Sequence, residues 1–318
     1  MIYHLTAPGE RFERDFHIVT PTGLYVDGTT DPTSPLLDVY YAGYDKAFVL
    51  KSEKEEISGF RECLALNAGP EGESLRSLFS PFMEIVALIA QPESHRRGEI
   101  VGGINFICFE FHIASGARIR SVALNYMHVL PQYRRRGWSQ ELLTAASFLA
   151  TKVLDDFSPA ARDAVDDPLI FIEQNDPLAL TDEEYALDSA HAGIDQIDRL
   201  RVWAKSGAKI VDFDYVQPAL SDDASEAADL VLSVFGTEQD RLDAEILRAH
   251  LLRFFSVSCL KGRPLDSDPQ ACAQIQHLDD LVAIGQEIAL IDPLPWLVHA
   301  EASRATKSHW SLRDVLKT

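Results

Sequence analysis

Residues 128–143 read HVLPQYRRRGWSQELL: three consecutive arginines and a glycine set between an apolar run and a helical pattern. The run before it, RSVALNYMHV, is β-rich. The run after it, SQELLTAASFLATKVLDDF, puts Leu142, Ala146, Leu149 and Val153 on one helical stripe. A strand that enters such a turn and leaves through a helix N-terminus points successive backbone N–H groups outward, which makes an anion cradle. Gly137 lets a diphosphate come close to bare backbone and tolerates dihedrals that other residues avoid. Ser139 is small enough for phosphates to lie on the first helical turn, and its hydroxyl is a candidate N-cap. Arg134, Arg135 and Arg136 sit badly against the positive end of a helix dipole. A bound anion resolves that conflict; a merely solvated basic turn does not.

Upstream, SEKEEISGFRECLALN predicts a helix capped by Ser52, with Glu55 three residues on and Ile57, Phe60 and Leu64 on one face. ESLRSLFSPF predicts a short second helix ending near Pro81. MEIVALIA, EIVGGINFICFEFHI and RSVALNYMHV are strand-like, and PESHRRGE and ASGARI separate them as turns do in an antiparallel meander. Residues 1–45 read as turns and short strands. Downstream come a buried strand, PLIFIEQ, and a long loop, NDPLALTDEEYALDSAHAGI. They are followed by a helix closed by Gly207, a strand-like KIVDFDYVQPAL up to Pro218, and a further strand, DLVLSVFG. Beyond Gly236 two helical patterns flank KGRPLDSDP as a hairpin, and the tail packs on the rest as an appendage.

The 318 residues suffice for one large domain or one and a half. Apolar residues form 46 % of the chain, which marks it as globular rather than disordered. No apolar run is long enough to span a bilayer, and the N-terminus lacks the pattern of a signal peptide. Cys63, Cys108, Cys259 and Cys272 lie far apart without a CxxC pair, and His112, His128 and His191 are scattered. The expectation is a reducing cytoplasm and no metal site. A net charge of −20 argues against nucleic acid and suits a cationic partner weakly; it equally serves solubility alone.

The run from Val129 to Ser139 resembles the acyl-CoA motif of the GNAT superfamily of N-acyltransferases. That motif follows a Val-x-Pro strand end with Gln or Arg, two residues, Gly, one residue, then Gly or Ala. Arg134 and Gly137 match, and Ser139 stands where Gly or Ala is usual. The order of elements agrees over residues 45–236. The resemblance implies an α/β (α+β) fold: a mixed, mostly antiparallel, splayed sheet with flanking helices. The GNAT-like domain would span 1–236, with 1–45 as an N-terminal extension and 237–318 as a helical C-terminal extension. It further implies a bulge beside Met127, His128, Val129 and Leu130 whose backbone pairs with pantetheine amides, and a diphosphate on the amides of Arg135, Arg136, Gly137, Trp138 and Ser139. Asn175 matches a residue that contacts the cofactor arm in the family; read alone, it equally opens the turn in NDP.

By the same resemblance, an amine attacks the thioester of acetyl-CoA directly in a ternary complex. Alkyl ammonium groups titrate near ~10, so a base must take a proton first. The usual Glu position holds Asn125 and the usual Tyr position holds Trp203, and neither serves. Trp203 then reads as core packing or a wall of the cofactor channel. Glu84, Glu110 and Glu173 are the candidate bases, while Tyr185 and Tyr215 are candidate acids that read more readily as half-buried aromatics. His128, alone on a strand, reads as structural. Glu183, Glu184 and Asp188 either attract a cationic amine or form a solvated helix face. Two functions follow. One is an N-acetyltransferase acting on a small-molecule or protein amine, with no metal, nucleic acid or membrane involved and a homo-oligomer left open. The other is a degenerate acyl-CoA-binding sensor that has lost catalysis.

Overall fold

The computed structural model describes residues 14–50, 54–93, 96–157, 167–220, 226–307 and 311–316. The three alternating runs form strands β3 (Phe82–Glu93), β4 (Arg96–His112) and β5 (Arg118–Val129), an antiparallel meander as their turns predict. A hairpin of β1 (Asp15–Val19) and β2 (Tyr25–Thr29) adds to the free edge of β3. On the other side follow β6 (Leu169–Asn175), β7 (Lys209–Val211), β8 (Leu230–Phe235), β9 (Arg241–Asp243) and β10 (Glu287–Ile291). Together they make one ten-stranded sheet in the order β1-β2-β3-β4-β5-β6-β8-β7-β10-β9. Among the described residues only β5 and β6 pair in parallel.

Side chains alternate across the sheet, so each face takes its own helices. Ile104 and Phe106 of β4 and Val122 of β5 pack against Leu142, Leu149 and Val153 of α4 (Trp138–Phe157). Phe109 and Phe171 on the opposite face meet Leu247, Leu251 and Phe254 of α7 (Ala244–Phe254). The same face carries α1 (Pro35–Ala47) and α2 (Ile57–Ala65), where Tyr40, Tyr44, Phe60 and Leu64 bury against Val86 and Leu88. Each such aromatic or branched side chain contributes on the order of 1.5–3 kcal/mol by leaving water.

Several local expectations are corrected. α1 occupies a stretch read as turns and strands: Ser34 Oγ accepts from Leu36 N, Pro35 opens the helix, and Leu37, Tyr40 and Tyr44 fall on one buried stripe. α2 begins at Ile57 rather than beside Ser52, which lies outside the described residues, and Glu55 is spent on a buried ion pair with Lys261. α3 (Gly69–Phe79) ends just before Pro81. The long loop folds into α5 (Asp182–Ala192), closed by a reciprocal capping box between Thr181 and Glu184 and by Gly193 at φ +68°. α6 (Gln196–Lys205) stops before Gly207 as predicted, but the strand after it shrinks to β7. In the tail, one π turn over residues 255–259 follows α7, and α8 (Pro269–Ala283) ends before Gly285. Glu287–Ile291, within the stretch expected to be helical, is β10 instead. The last helices are α9 (Leu297–Thr306) and α10 (Leu312–Leu316). The tail is mostly helical, yet β9 and β10 join it to the sheet.

Candidate active site

The basic turn runs from Pro131 to Gly137. Arg135 and Gly137 both take positive φ, +61° and +80°, so the chain curls and α4 begins at Trp138. Gly137, not Ser139, therefore holds the N-cap position. Among the described residues, no backbone acceptor meets the amides of Arg135 or Gly137, and Trp138 and Ser139 open α4, where the first amides have no partner within the helix. Unpartnered amide donors at a helix N-terminus fit a diphosphate. The arginines behave differently from the expectation. Arg134 donates from Nη1 to the carbonyls of His191 (2.7 Å) and Ala192 (3.2 Å), and from Nε to that of Val129. Arg135 donates to the Gly193 carbonyl at 2.8 Å. The negative end of the α5 dipole thus satisfies two of the three cations, and Arg136 alone is exposed without a side-chain hydrogen bond among the described residues.

Three glutamates lie on neighbouring strands with different fates. Glu110 of β4 is neutralised by Arg120 at 3.3 Å and Arg118 at 3.7 Å. Glu84 of β3 accepts from Asn105 Nδ2 at 2.5 Å and from Asn125 Nδ2 at 3.3 Å, and burial pushes its carboxyl up to about 8. Glu173 of β6 accepts from the Tyr215 hydroxyl and from Gln217 Nε2 at 2.9 Å. Burial raises it to about 7, against the pull of those two hydrogen bonds.

β4 and β5 lose register between Asn105↔Tyr126 and Ile107↔Ala123, so Leu124 and Asn125 oppose Phe106 alone. This two-against-one bulge lies upstream of the expected place beside Met127, His128, Val129 and Leu130. β5 and β6 pair only from Ser121↔Leu169 to Ala123↔Phe171, whereas β6 stays paired with β8 through Asn175↔Leu230. Beyond Ala123 the two strands part. A cleft of about 150 Å³ opens between them, walled by residues 124–127 of β5, residues 172–175 of β6, and Arg199 and Trp203 of α6. Trp203 packs with the core on the α4 side and Phe48, also on the wall, with the α1–α2 side, so the cleft passes through the sheet. The fold is a mixed, mostly antiparallel sheet, splayed between β5 and β6 and flanked by helices.

Neither a protein-family model nor a curated protein matches the sequence. Among solved structures the chain is similar to a mutant AtaT toxin bound to the C-terminus of the antitoxin AtaR and acetyl-CoA. The identity is 13 %, covering 47 % of this chain and 66 % of that one, with a TM-score of 0.22. The chain thus spans just under two thirds of that toxin's length. It is also similar to Arabidopsis thaliana NAA60 in complex with acetyl-CoA, at 13 % identity over 68 % of this chain and 99 % of that one, with a TM-score of 0.36. A KacTA–DNA complex matches at 13 % identity over 52 % and 79 %, with a TM-score of 0.22. At such scores the functional reading rests on this chain's own residues.

Within the splayed sheet, Glu173, Asn175, Met127, Asn125 and Trp203 come together on the cleft wall. Glu110 and Tyr185 do not line it. Tyr185 donates to Asp195 Oδ2 at 2.7 Å and lies beneath the Arg304 guanidinium. His128 is packed between the Tyr40 ring and Gly103, and burial lowers it to about 4, so it stays neutral. Of the acidic trio on α5, Glu184 is spent on its capping box and Asp188 pairs with Arg199 at 2.8 Å, leaving Glu183 exposed. Sequence reasoning did not find Arg199 or Gln217. Their signals, an Arg on a helix face and a Gln before a proline, are common to surfaces everywhere.

Proposed function

We propose that this chain is an acyl-CoA-dependent N-acyltransferase, with acetyl as the acyl group and a primary amine as acceptor. The observation that carries the reading is the cleft where β5 and β6 part, with Glu173 on its wall. The amides of Arg135, Gly137, Trp138 and Ser139 fit the diphosphate of the carrier, and the edge of β5 from Leu124 to His128, unpaired with β6 among the described residues, offers backbone groups to its amides. Bound acyl-CoA would supply the activated thioester.

The chain's own residues supply position and proton transfer. Glu173 accepts the proton of the attacking amine at its carboxylate, and a value near 7 suits a base working at neutral pH. Tyr215 and Gln217 hold that carboxylate in place. The Tyr215 proton is committed to Glu173, so Tyr215 is a positioning residue rather than the acid. Arg199, fixed by Asp188, sets the charge of the opposite wall.

Acetyl-CoA affinity and acceptor-dependent thiol release test this reading together. Gly137→Asp compared with Gly137→Ala is the discriminating pair: a Cβ meets no atom within 4 Å there, and the φ of +80° strains both variants alike. The Asp charge repels a diphosphate, so acetyl-CoA affinity is expected to fall at least about tenfold further than in Gly137→Ala, with the two variants melting at similar temperatures. Unchanged affinity overturns the cradle. Tight acetyl-CoA binding without thiol release across a panel of amines assigns the sensor function instead.

A further inference from the structure

The cleft passes through the sheet, and its two ends suit different molecules. The basic turn leads into α4, and Leu130 and Trp138 at the borders of that turn pack with the core under α4. A carrier held by the turn therefore reaches the cleft along the α4 face. Ile170 and Ile172 of β6 pack on that face as well. Glu173, next in the alternation, belongs to the opposite face with Phe171 and its partner Tyr215. The acceptor amine comes to Glu173 from there.

That end of the cleft is walled by Phe48, Tyr126, Leu230 and Asp229. Phe48 and Tyr126 are the outer members of an aromatic cluster whose inner members, Tyr40, Tyr44 and Phe60, are at most 3 % exposed. The Phe48 ring centre lies 4.9 Å from that of Tyr44 and 5.4 Å from that of Tyr126, whose plane is turned by 76°. Phe48 and Tyr126 are both half-buried: the core holds them from behind and leaves ring surface on the cleft wall. Leu230, paired with Asn175, adds apolar surface on the β6 side. The charged groups among the described lining residues are Glu173, Asp229 and Arg199. The Asp229 carboxylate has no hydrogen bond or ion pair among the described residues. Arg199 is already bound to Asp188 at 2.8 Å, on the helix whose Trp203 packs with the α4 core.

Ring surface on the wall, a base, and a second carboxylate without a cation fit an amine that is attached to a ring and carries no anion. We propose that the acceptor is an arylalkylamine, its ring set against Phe48 and Tyr126 and its amine beside Glu173. This inference rests on the acyltransfer reading. Edge-to-face and offset contacts with rings already fixed by the core cost little ordering and reward an aromatic ligand over an aliphatic one. Asp229 attracts the entering ammonium and repels a carboxylate on the carbon next to it, so the amine is favoured over the corresponding amino acid. The cleft of about 150 Å³ is smaller than the roughly 300–1,000 Å³ of sites for drug-sized ligands, which favours one ring on a short linker.

The test is initial-rate kinetics of the whole protein at saturating acetyl-CoA, with phenethylamine, propylamine, phenylalanine and phenylalaninamide as acceptors. Phenethylamine is expected to show a kcat/KM at least about tenfold above that of propylamine, through a lower KM. Phenylalanine is expected to fall at least about tenfold below phenylalaninamide, which lacks only the charge. Phe48→Ala should bring phenethylamine and propylamine to within about threefold of each other. Phe48→Leu, which keeps apolar packing on Tyr44, should lose at least about threefold of the preference. Asp229→Asn should narrow the gap between phenylalanine and its amide by at least about threefold. Equal kcat/KM for phenethylamine and propylamine overturns the proposal. A Phe48→Ala or Phe48→Leu variant of wild-type melting temperature that keeps the full preference does the same. Absence of thiol release with every amine defeats the acyltransfer reading. Calorimetric titration of the same compounds with coenzyme A present then decides the ring site by the same ratios, and equal affinity for phenethylamine and propylamine overturns it.

Discussion

Glu173→Gln is expected to lower turnover about 10²–10⁴-fold, the range lost when a positioned base is removed. Acetyl-CoA affinity should stay within about threefold, because the turn proposed for the diphosphate lies beyond the far end of β5. The fall should therefore appear in kcat rather than in cofactor KM. The wild-type pH profile sharpens the test. With Glu173 titrating at about 7, activity should rise with pH through that value as the carboxylate forms, then level off. The residual activity of Glu173→Gln should lack this limb.

Stability should move the other way. Burial raises Glu173 above its unfolded value of 4.5, so the folded protein binds more protons than the unfolded chain between 4.5 and about 7. Stability is therefore lost as pH rises through that window. Gln removes this penalty of about 3 kcal/mol, on the order set by the shift. Tyr215 still finds an acceptor, and Gln217 regains one by turning its amide. A variant with lost turnover and an unchanged or raised melting temperature at neutral pH is the expected result. Lost turnover with a lowered melting temperature would mean that Glu173 serves the fold instead.

Lys261→Ala is expected to destabilise the protein by about 3–5 kcal/mol, the cost of stranding one member of a buried ion pair. Lys261 and Glu55 are 8 % and 10 % exposed and lie 2.7 Å apart. Lys261 takes φ +51° just after the π turn, and its ammonium also binds the Leu220 carbonyl. It thus ties the C-terminal tail to the segment before α2, where the Glu55 amide donates to the Tyr44 hydroxyl at 2.6 Å. A fall in melting temperature of roughly 5–15 °C should follow. The pair Lys261→Met with Glu55→Gln should recover most of it, since no buried charge is then left alone. Without recovery, the loss lies in the Lys261 backbone conformation rather than in the charge.

Read along the chain, periodicity alone placed β3, β4, β5, β6 and α4, because alternation and the 3.6-residue stripe are local records of which face will be buried. The strand, glycine turn and helix at 128–143 were legible for the same reason. α1 and α5 carried readable caps, Ser34 with Pro35 and Thr181 with Glu184, but their apolar stripes are thin: α5 buries Asp188 alone. The strand character of QEIALI depended on a free sheet edge that no local pattern announces.

What the three arginines do was decided by tertiary structure. Their clash with the α4 dipole is written in the sequence, but the carbonyls that answer Arg134 and Arg135 come from the C-terminus of α5, about sixty residues on. The glutamates teach the same lesson. Glu84, Glu110 and Glu173 are equivalent in sequence, three carboxylates on strands. Arginines from the adjoining strand neutralise Glu110, while Tyr215 and Gln217, from a segment about forty residues downstream, hold Glu173 at the cleft wall. Pattern along a chain fixes which residues are buried; only the folded sheet fixes which charges they meet, because electrostatic energy depends on distance through space and not on separation in sequence.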